Sequence, residues 1–177
     1  MTKELTKYIR TVPDFPKKGI MFKDITTLLK DAEAVEIALK QLHSYAKDLG
    51  VTKVVGIEAR GFIFGALLAE KLNAGFIPIR KPGKLPAETE STTYALEYGT
   101  DTIEIHKDAI KLGEKVLLHD DLLATGGTAQ AAANLIEKLG GEVVQISFII
   151  ELNYLKGREK LKKYNIKTLI EYESEED

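Results

Sequence analysis

A chain of 177 residues, with 44% hydrophobic and 29% charged side chains, a net charge of −2 and no cysteine, is sized for one globular domain with its own apolar core. The nearly neutral balance argues against a protein that sheathes nucleic acid, and the missing cysteines remove disulfides and all thiolate chemistry. Met1 to Arg10 lacks the apolar stretch of a secretory leader, and no run approaches the ~20 apolar residues that cross a bilayer; the expectation is a soluble, cytoplasmic chain with neither a membrane nor a nucleic-acid partner.

Taken in order, residues 1–30, interrupted by Pro13 and Pro16, precede the regular pattern and are expected to form a small hood. A helix is predicted from Asp31, a suitable N-cap, with Val35, Ala38, Leu39, Leu42, Ala46 and Leu49 on one face and Gly50 as its stop. Lys53–Ile57, Phe76–Arg80, Lys115–His119 and Val143–Glu151 read as strands. A second helix runs from about Gly61 to Leu72, and Ala132, Leu135, Ile136 and Leu139 mark a third. Strands apolar on both faces and separated by helices predict an α/β domain spanning 1–177, with a central, mostly parallel sheet flanked by helices. Residues 81–106 break the alternation: Thr92–Leu96 and Thr102–Ile105 suggest an antiparallel pair with Gly99 near its turn, a β-hairpin flap. The acidic end, 171–177, is expected to fray into solvent.

In a parallel sheet, ligands sit beyond the carboxyl ends of the strands. There the apolar Val116-Leu117-Leu118 leads through His119 to Asp120 and Asp121, and then to Leu122-Leu123-Ala124-Thr125-Gly126-Gly127-Thr128. The two glycines permit a sharp turn, and the loop N–H groups together with the following helix N-terminus form an anion cradle to which the Thr125 and Thr128 hydroxyls can add donors. No lysine follows Gly127, so this is not a Walker A loop, and G-x-G-x-x-G is absent. An ordinary strand-turn-helix is the bland alternative, but adjacent strand-end carboxylates repel each other and favour a ligand or cation to share. Two acids beside an anion cradle point to a ribose phosphate.

A second anion site is suggested by Glu58-Ala59-Arg60-Gly61-Phe62, which follows a strand and opens a helix, and by the cations Arg80, Lys81 and Lys84 at another strand end. Each alone reads equally as a solvated basic loop. His43, His106 and His119 lack metal-ligand spacing, so a zinc site is not expected.

The strand, paired acids and T-G-G-T loop resemble the phosphoribosyl diphosphate (PRPP) signature of the type I phosphoribosyltransferases. Asp14–Pro16, Gly19–Ile25, Ala59–Phe62, Arg80-Lys81, Gly83–Pro86, Leu96–Gly99 and Leu155–Leu161 extend the likeness to the adenine phosphoribosyltransferase family over nearly the whole chain. The resemblance implies purine salvage, adenine plus PRPP giving AMP plus diphosphate, with Mg²⁺ and as a homodimer. It implies that Asp120 and Asp121 meet the ribose hydroxyls, directly or through water and a PRPP-borne Mg²⁺ without a direct protein metal site. Ala124, Thr125, Gly126, Gly127 and Thr128 would wrap the 5′-phosphate, and Arg60, with Arg80, Lys81 and Lys84, would neutralise the diphosphate. Met21, Phe22 and Lys23 would frame the adenine, largely through backbone groups and the aromatic ring, with Leu123 on the opposite side. Glu97 would act as acid/base near the purine N7, and Tyr98 would close over the site. Lys156–Leu161 carries no obvious chemistry and is read as structural.

Two positions depart from the pattern of many relatives: His119 stands where an apolar residue is usual, and Lys23 where an arginine is. His119 is read as a hydrogen-bonded core residue, the alternative being that it adjusts the neighbouring acids near neutral pH. A transferase for another purine or for orotate, and a PRPP-sensing regulator without turnover, are the rival functions.

Overall fold

The computed structural model describes residues 2–95 and 99–175. The chain begins with a short helix, α1 (Thr2–Leu5), and an antiparallel pair, β1 (Arg10–Val12) and β2 (Phe22–Asp24), followed by α2 (Thr26–Leu29). Next comes α3 (Ala32–Ala46), where the Asp31 carboxylate accepts the Ala34 N–H at 3.0 Å and so satisfies one of the orphan donors of the first turn. This helix buries Ala34, Ala38, Leu42 and Ala46 and ends there, leaving Leu49 in the following turn.

Five parallel strands then build the central sheet: β3 (Lys53–Ile57), β4 (Gly75–Ile79), β7 (Lys115–Leu123), β8 (Glu142–Leu152) and β9 (Ile166–Tyr172), in the order β4-β3-β7-β8-β9. Helix α4 (Gly61–Lys71) joins β3 to β4, and α5 (Gly127–Lys138) joins β7 to β8. The antiparallel pair β5 (Thr89–Ala95) and β6 (Thr100–His106) stands between β4 and β7 in sequence. On one sheet face Val55, Leu118, Ile146 and Phe148 pack with Ala132, Leu135 and Ile136 of α5. On the other, Val54, Leu117, Ile149 and Ile150 pack with Phe64 and Leu68 of α4 and with Ala38 and Leu42 of α3. Each large apolar side chain removed from water in this way contributes about 1.5–3 kcal/mol, which offsets the ordering of both helical layers.

Three boundaries differ from the sequence reading. Strand β7 does not stop at His119 but runs on to Leu123, because the long β8 gives it partners that far: Asp120 lies beside Phe148, Leu122 beside Ile150 and Leu123 beside Glu151. The two acids are therefore strand residues, and the loop begins only at Ala124. Strand β9 was not among the expected strands, and Glu171 and Tyr172 belong to it rather than to a frayed tail; Tyr172 is buried, which the acids around it conceal in the sequence. Arg80 is outside β4 and is tied by backbone to the hairpin, its N–H donating to the Glu104 carbonyl at 2.9 Å and the Glu104 N–H returning to Arg80 at 2.8 Å.

Candidate active site

The carboxyl ends of β3, β4 and β7 open on one cavity of about 340 Å³. Glu58, Arg60, Arg80, Lys81, Asp120, Asp121, Leu122, Ala124 and Thr128 line it, joined by Tyr94 and Asp101 from the hairpin. Segments separated by some sixty residues of sequence thus meet because the sheet order sets β3 between β4 and β7.

Gly126 adopts φ +77° at the N-terminus of α5, a left-handed conformation that side chains disfavour, and so turns the chain from β7 into the helix. Leu122 to Ala129 enclose a small recess of about 80 Å³ with Asp120. Half-buried Thr125, Gly127 and Thr128 belong to it, and the helix N-terminus behind it favours negative charge. Gly157 presses on the loop from behind: a Cβ on Gly126 would lie 2.4 Å from the Gly157 carbonyl.

Asp121 is buried and forms an ion pair with Arg60 at the entrance to α4. Asp120, partly buried beside it, accepts the Asp121 N–H at 2.8 Å. Burial and the neighbouring Asp121 charge push the Asp120 carboxyl well above the usual carboxylate range. A ligand hydroxyl or a cation between the two acids relieves that repulsion. Among the described residues no three His, Asp or Glu side chains gather as a metal cage. Two carboxylates facing a cavity instead suit a hard cation such as Mg²⁺, which keeps waters and phosphate oxygens as most of its ligands.

At the opposite side of the cavity the Arg80 guanidinium grips Glu58 with two hydrogen bonds of 3.0 and 3.2 Å, and the Lys81 N–H donates to the same carboxylate at 2.9 Å. The Arg80 bonds, against burial and with help from the Lys81 N–H, hold Glu58 below its usual range. The fork of Arg80 is thus committed to Glu58, so it shapes the loop, whereas the Lys81 ammonium reaches the cavity and meets Asp101. Lys84 is exposed and does not line the cavity. Its carbonyl accepts from Arg80 at 3.3 Å.

Phe22 is half-buried, with the Arg60 guanidinium 5.2 Å from its ring centroid and the Phe15 ring edge-on at 5.1 Å. Met21 precedes it, also half-buried. Strand alternation sends the Lys23 side chain the other way, into the interior. Its ammonium lies 4.1 Å from the Tyr172 ring centroid and 3.2 Å from the Thr11 hydroxyl, so only backbone is left for the Phe22 side. Leu123 does not reach the cavity as expected of a base contact: it is 1% exposed and packed in the core, because the strand continues through it, and the partly exposed Leu122 lines the cavity in its place. Glu97 and Tyr98 lie outside the described residues.

His119 is fully buried, its Nδ1 2.9 Å from the Ser147 hydroxyl. Burial lowers its pKa to about 3, so the ring is neutral near neutral pH and has no charge with which to adjust the adjacent acids. Sequence reasoning missed Glu58 as the clamp on Arg80 and Lys81, and missed Tyr94 and Asp101. Glu58 and Tyr94 sit in a motif and a strand that were recognised and Asp101 just before one, but what each touches is fixed only by the tertiary fold.

The family model described as Phosphoribosyl transferase domain matches residues 23–176, which sets the class. The adenine phosphoribosyltransferase of Halothermothrix orenii is 64% identical over 168 residues, 95% of this chain and 99% of that one. The crystal structure of adenine phosphoribosyltransferase from Thermoanaerobacter pseudethanolicus superposes with a TM-score of 0.94 at 53% identity, covering 97% of this chain and 100% of its own. That of Saccharomyces cerevisiae, complexed with D-2,5-dideoxy-2,5-imino-altritol 1,6-bisphosphate and adenine, gives a TM-score of 0.87 at 40% identity over 95% and 97% of the two chains. The chain belongs to the adenine phosphoribosyltransferase family.

Proposed function

We propose that the protein transfers the 5-phosphoribosyl group of PRPP to N9 of adenine, giving AMP and diphosphate in purine salvage. The observation that carries this reading is the single cavity lined by the cations Arg60 and Lys81 together with Asp120, Asp121 and Thr128. Such a cavity matches a sugar carrying a diphosphate at C1 and a phosphate at C5.

The 5′-phosphate takes the N–H groups of the Ala124–Thr128 loop, and the ribose hydroxyls meet Asp120 and Asp121. Arg60, held by Asp121, and Lys81 face the diphosphate. Arg80 and Lys84 act less directly, Arg80 by fixing the loop through Glu58 and Lys84 by its nearby charge. Cleavage at C1 builds an oxocarbenium-like ribose and a highly charged leaving group. Fixed cations beside that group stabilise it as charge develops. Asp120 and Asp121 would hold Mg²⁺ together with PRPP, through water, and the ion would supply further neutralisation of the diphosphate. Adenine lies against Phe22, framed by Met21 and the backbone of Lys23, with Leu122 across the cavity. Its N9 attacks C1, and Glu97 accepts the proton shed at N7 while Tyr98 closes the flap against water.

The reading further places the enzyme in the cytoplasm as a homodimer. Large apolar side chains left exposed at Ile20 and Ile63 support a second copy, and a light-scattering mass of one chain would refute it. The function is tested by mass analysis of the nucleotide formed from adenine, PRPP and Mg²⁺: AMP supports it, and absence of any nucleotide favours a regulator that binds without turnover.

A further inference from the structure

Asp101 stands on β6 directly across from Tyr94 of β5, and its carboxylate lines the cavity. One oxygen takes the Lys81 ammonium and, at 3.3 Å, the Tyr94 hydroxyl; the other takes the Thr102 N–H at 2.8 Å. The Tyr94 oxygen in turn accepts the Thr128 hydroxyl at 3.1 Å. A continuous line of hydrogen bonds therefore runs from the phosphate loop through the turn end of the hairpin to the cationic loop.

We propose that Asp101 is a built-in stand-in for the diphosphate: it holds the Lys81 ammonium over the cavity when no anion is bound, yields it to PRPP, and reclaims it as diphosphate leaves. The proposal rests on Lys81 facing the diphosphate, as argued above. Lysine is suited to such an exchange, being a point charge on a flexible stem, and here its side chain is 47% exposed while that of Asp101 is 26% exposed. A diphosphate offers more negative charge than one carboxylate and so wins the ammonium. Asp101 is not stranded by the loss, since it keeps the Thr102 N–H and the Tyr94 hydroxyl. Burial alone would push the Asp101 carboxyl up, but the Lys81 and Thr102 hydrogen bonds outweigh it and hold it below the usual range, so the group stays ionised at neutral pH. When the Thr128 hydroxyl turns to the 5′-phosphate, the Tyr94 hydroxyl still donates to Asp101, which ties both anion sites to one carboxylate on the flap-bearing hairpin.

The test is calorimetric titration of the Mg²⁺-containing protein with diphosphate. Asp101→Asn, which keeps the shape and removes the charge, is expected to tighten diphosphate binding by about two- to fivefold, the range of a part-exposed ion pair. The constant for product inhibition by diphosphate should fall by the same factor. Asp101→Glu should stay near the parent value. Lys81→Met should weaken binding, and adding Asp101→Asn to it should change nothing more. Unchanged or weaker binding in Asp101→Asn, with Lys81→Met still weakened, overturns the exchange and leaves the role of Lys81 standing. Unchanged binding in Lys81→Met overturns that role and the exchange with it. Asp101→Ala replaces the asparagine variant if the latter does not fold.

Discussion

Gly157 lies so close to Ala124 that a Cβ built on it would sit 2.1 Å from the Ala124 carbonyl oxygen and 3.0 Å from the Gly126 nitrogen. Both neighbours are backbone of the phosphate loop, and neither can swing aside as a side chain would. Gly157→Ala is therefore expected to displace the loop and to lower kcat/KM for PRPP by about 100-fold, as small misplacements of positioning groups do. Lys156→Gly is the control: Lys156 has φ +55°, where glycine costs less, so stability should hold or rise by up to about 1 kcal/mol. Steady-state kinetics and thermal unfolding of the two variants check this.

Arg60 and Asp121 form the second relationship. Asp121 is buried while the Arg60 side chain is 44% exposed, so removing the guanidinium leaves a charge in the interior without its partner. Arg60→Ala should raise KM for PRPP by about 10- to 100-fold, the worth of a lost charge-assisted hydrogen bond. Arg60→Lys should recover only part of this, since an ammonium cannot contact Asp121 and a diphosphate with one planar fork. An unchanged KM in both would remove Arg60 from the site.

Most of the framework was legible in the sequence because the three long helices and most strands of the central sheet carry their own periodic pattern, whereas the short helices α1 and α2 do not. Asp31 and the face Ala38-Leu42-Ala46 announce α3, and Val54-Val55 announces β3. The failures share one cause. Asp120 to Leu123 read as the end of a strand because charges usually end one, yet β8 holds them in the ladder. Tyr172 was hidden among acids, and its burial depends on packing in the cluster on the α3 and α4 side. Gly157 was recognisable as part of a motif but not as the back wall of a loop some thirty residues earlier. Asp101 offered no local signal, because only the hairpin register brings it to Tyr94 and Lys81.

His119 makes a prediction with a definite sign. Its folded pKa is about 3, against 6.5 for a free imidazole, so the unfolded chain takes up a proton that the folded one refuses. The stabilisation from this residue is complete above pH 6.5 and is lost as pH falls toward 3. His119→Val should flatten the acid limb of the stability curve by up to about 1.4 kcal/mol per pH unit within that window. Its pH–activity profile should match the parent's between roughly pH 6 and 9. A shifted profile would mean that the ring does act on Asp120 and Asp121.

Gln145 sits fully buried in β8, opposite Leu117 of β7, and neither its amide nitrogen nor its oxygen finds a hydrogen-bond partner among the described residues. Each such group carries its desolvation cost uncompensated. Gln145→Leu should stabilise the fold by about 1–2 kcal/mol. Denaturant unfolding reads this as a higher midpoint at unchanged slope. A lower midpoint would mean that a water bridges the amide.

Adenine-specific phosphoribosyl transfer is decided by diphosphate release from PRPP and Mg²⁺ with adenine, hypoxanthine, guanine or orotate supplied separately. Release with adenine, and little with the others, is the predicted result. Release with hypoxanthine, guanine or orotate but not with adenine would contradict it.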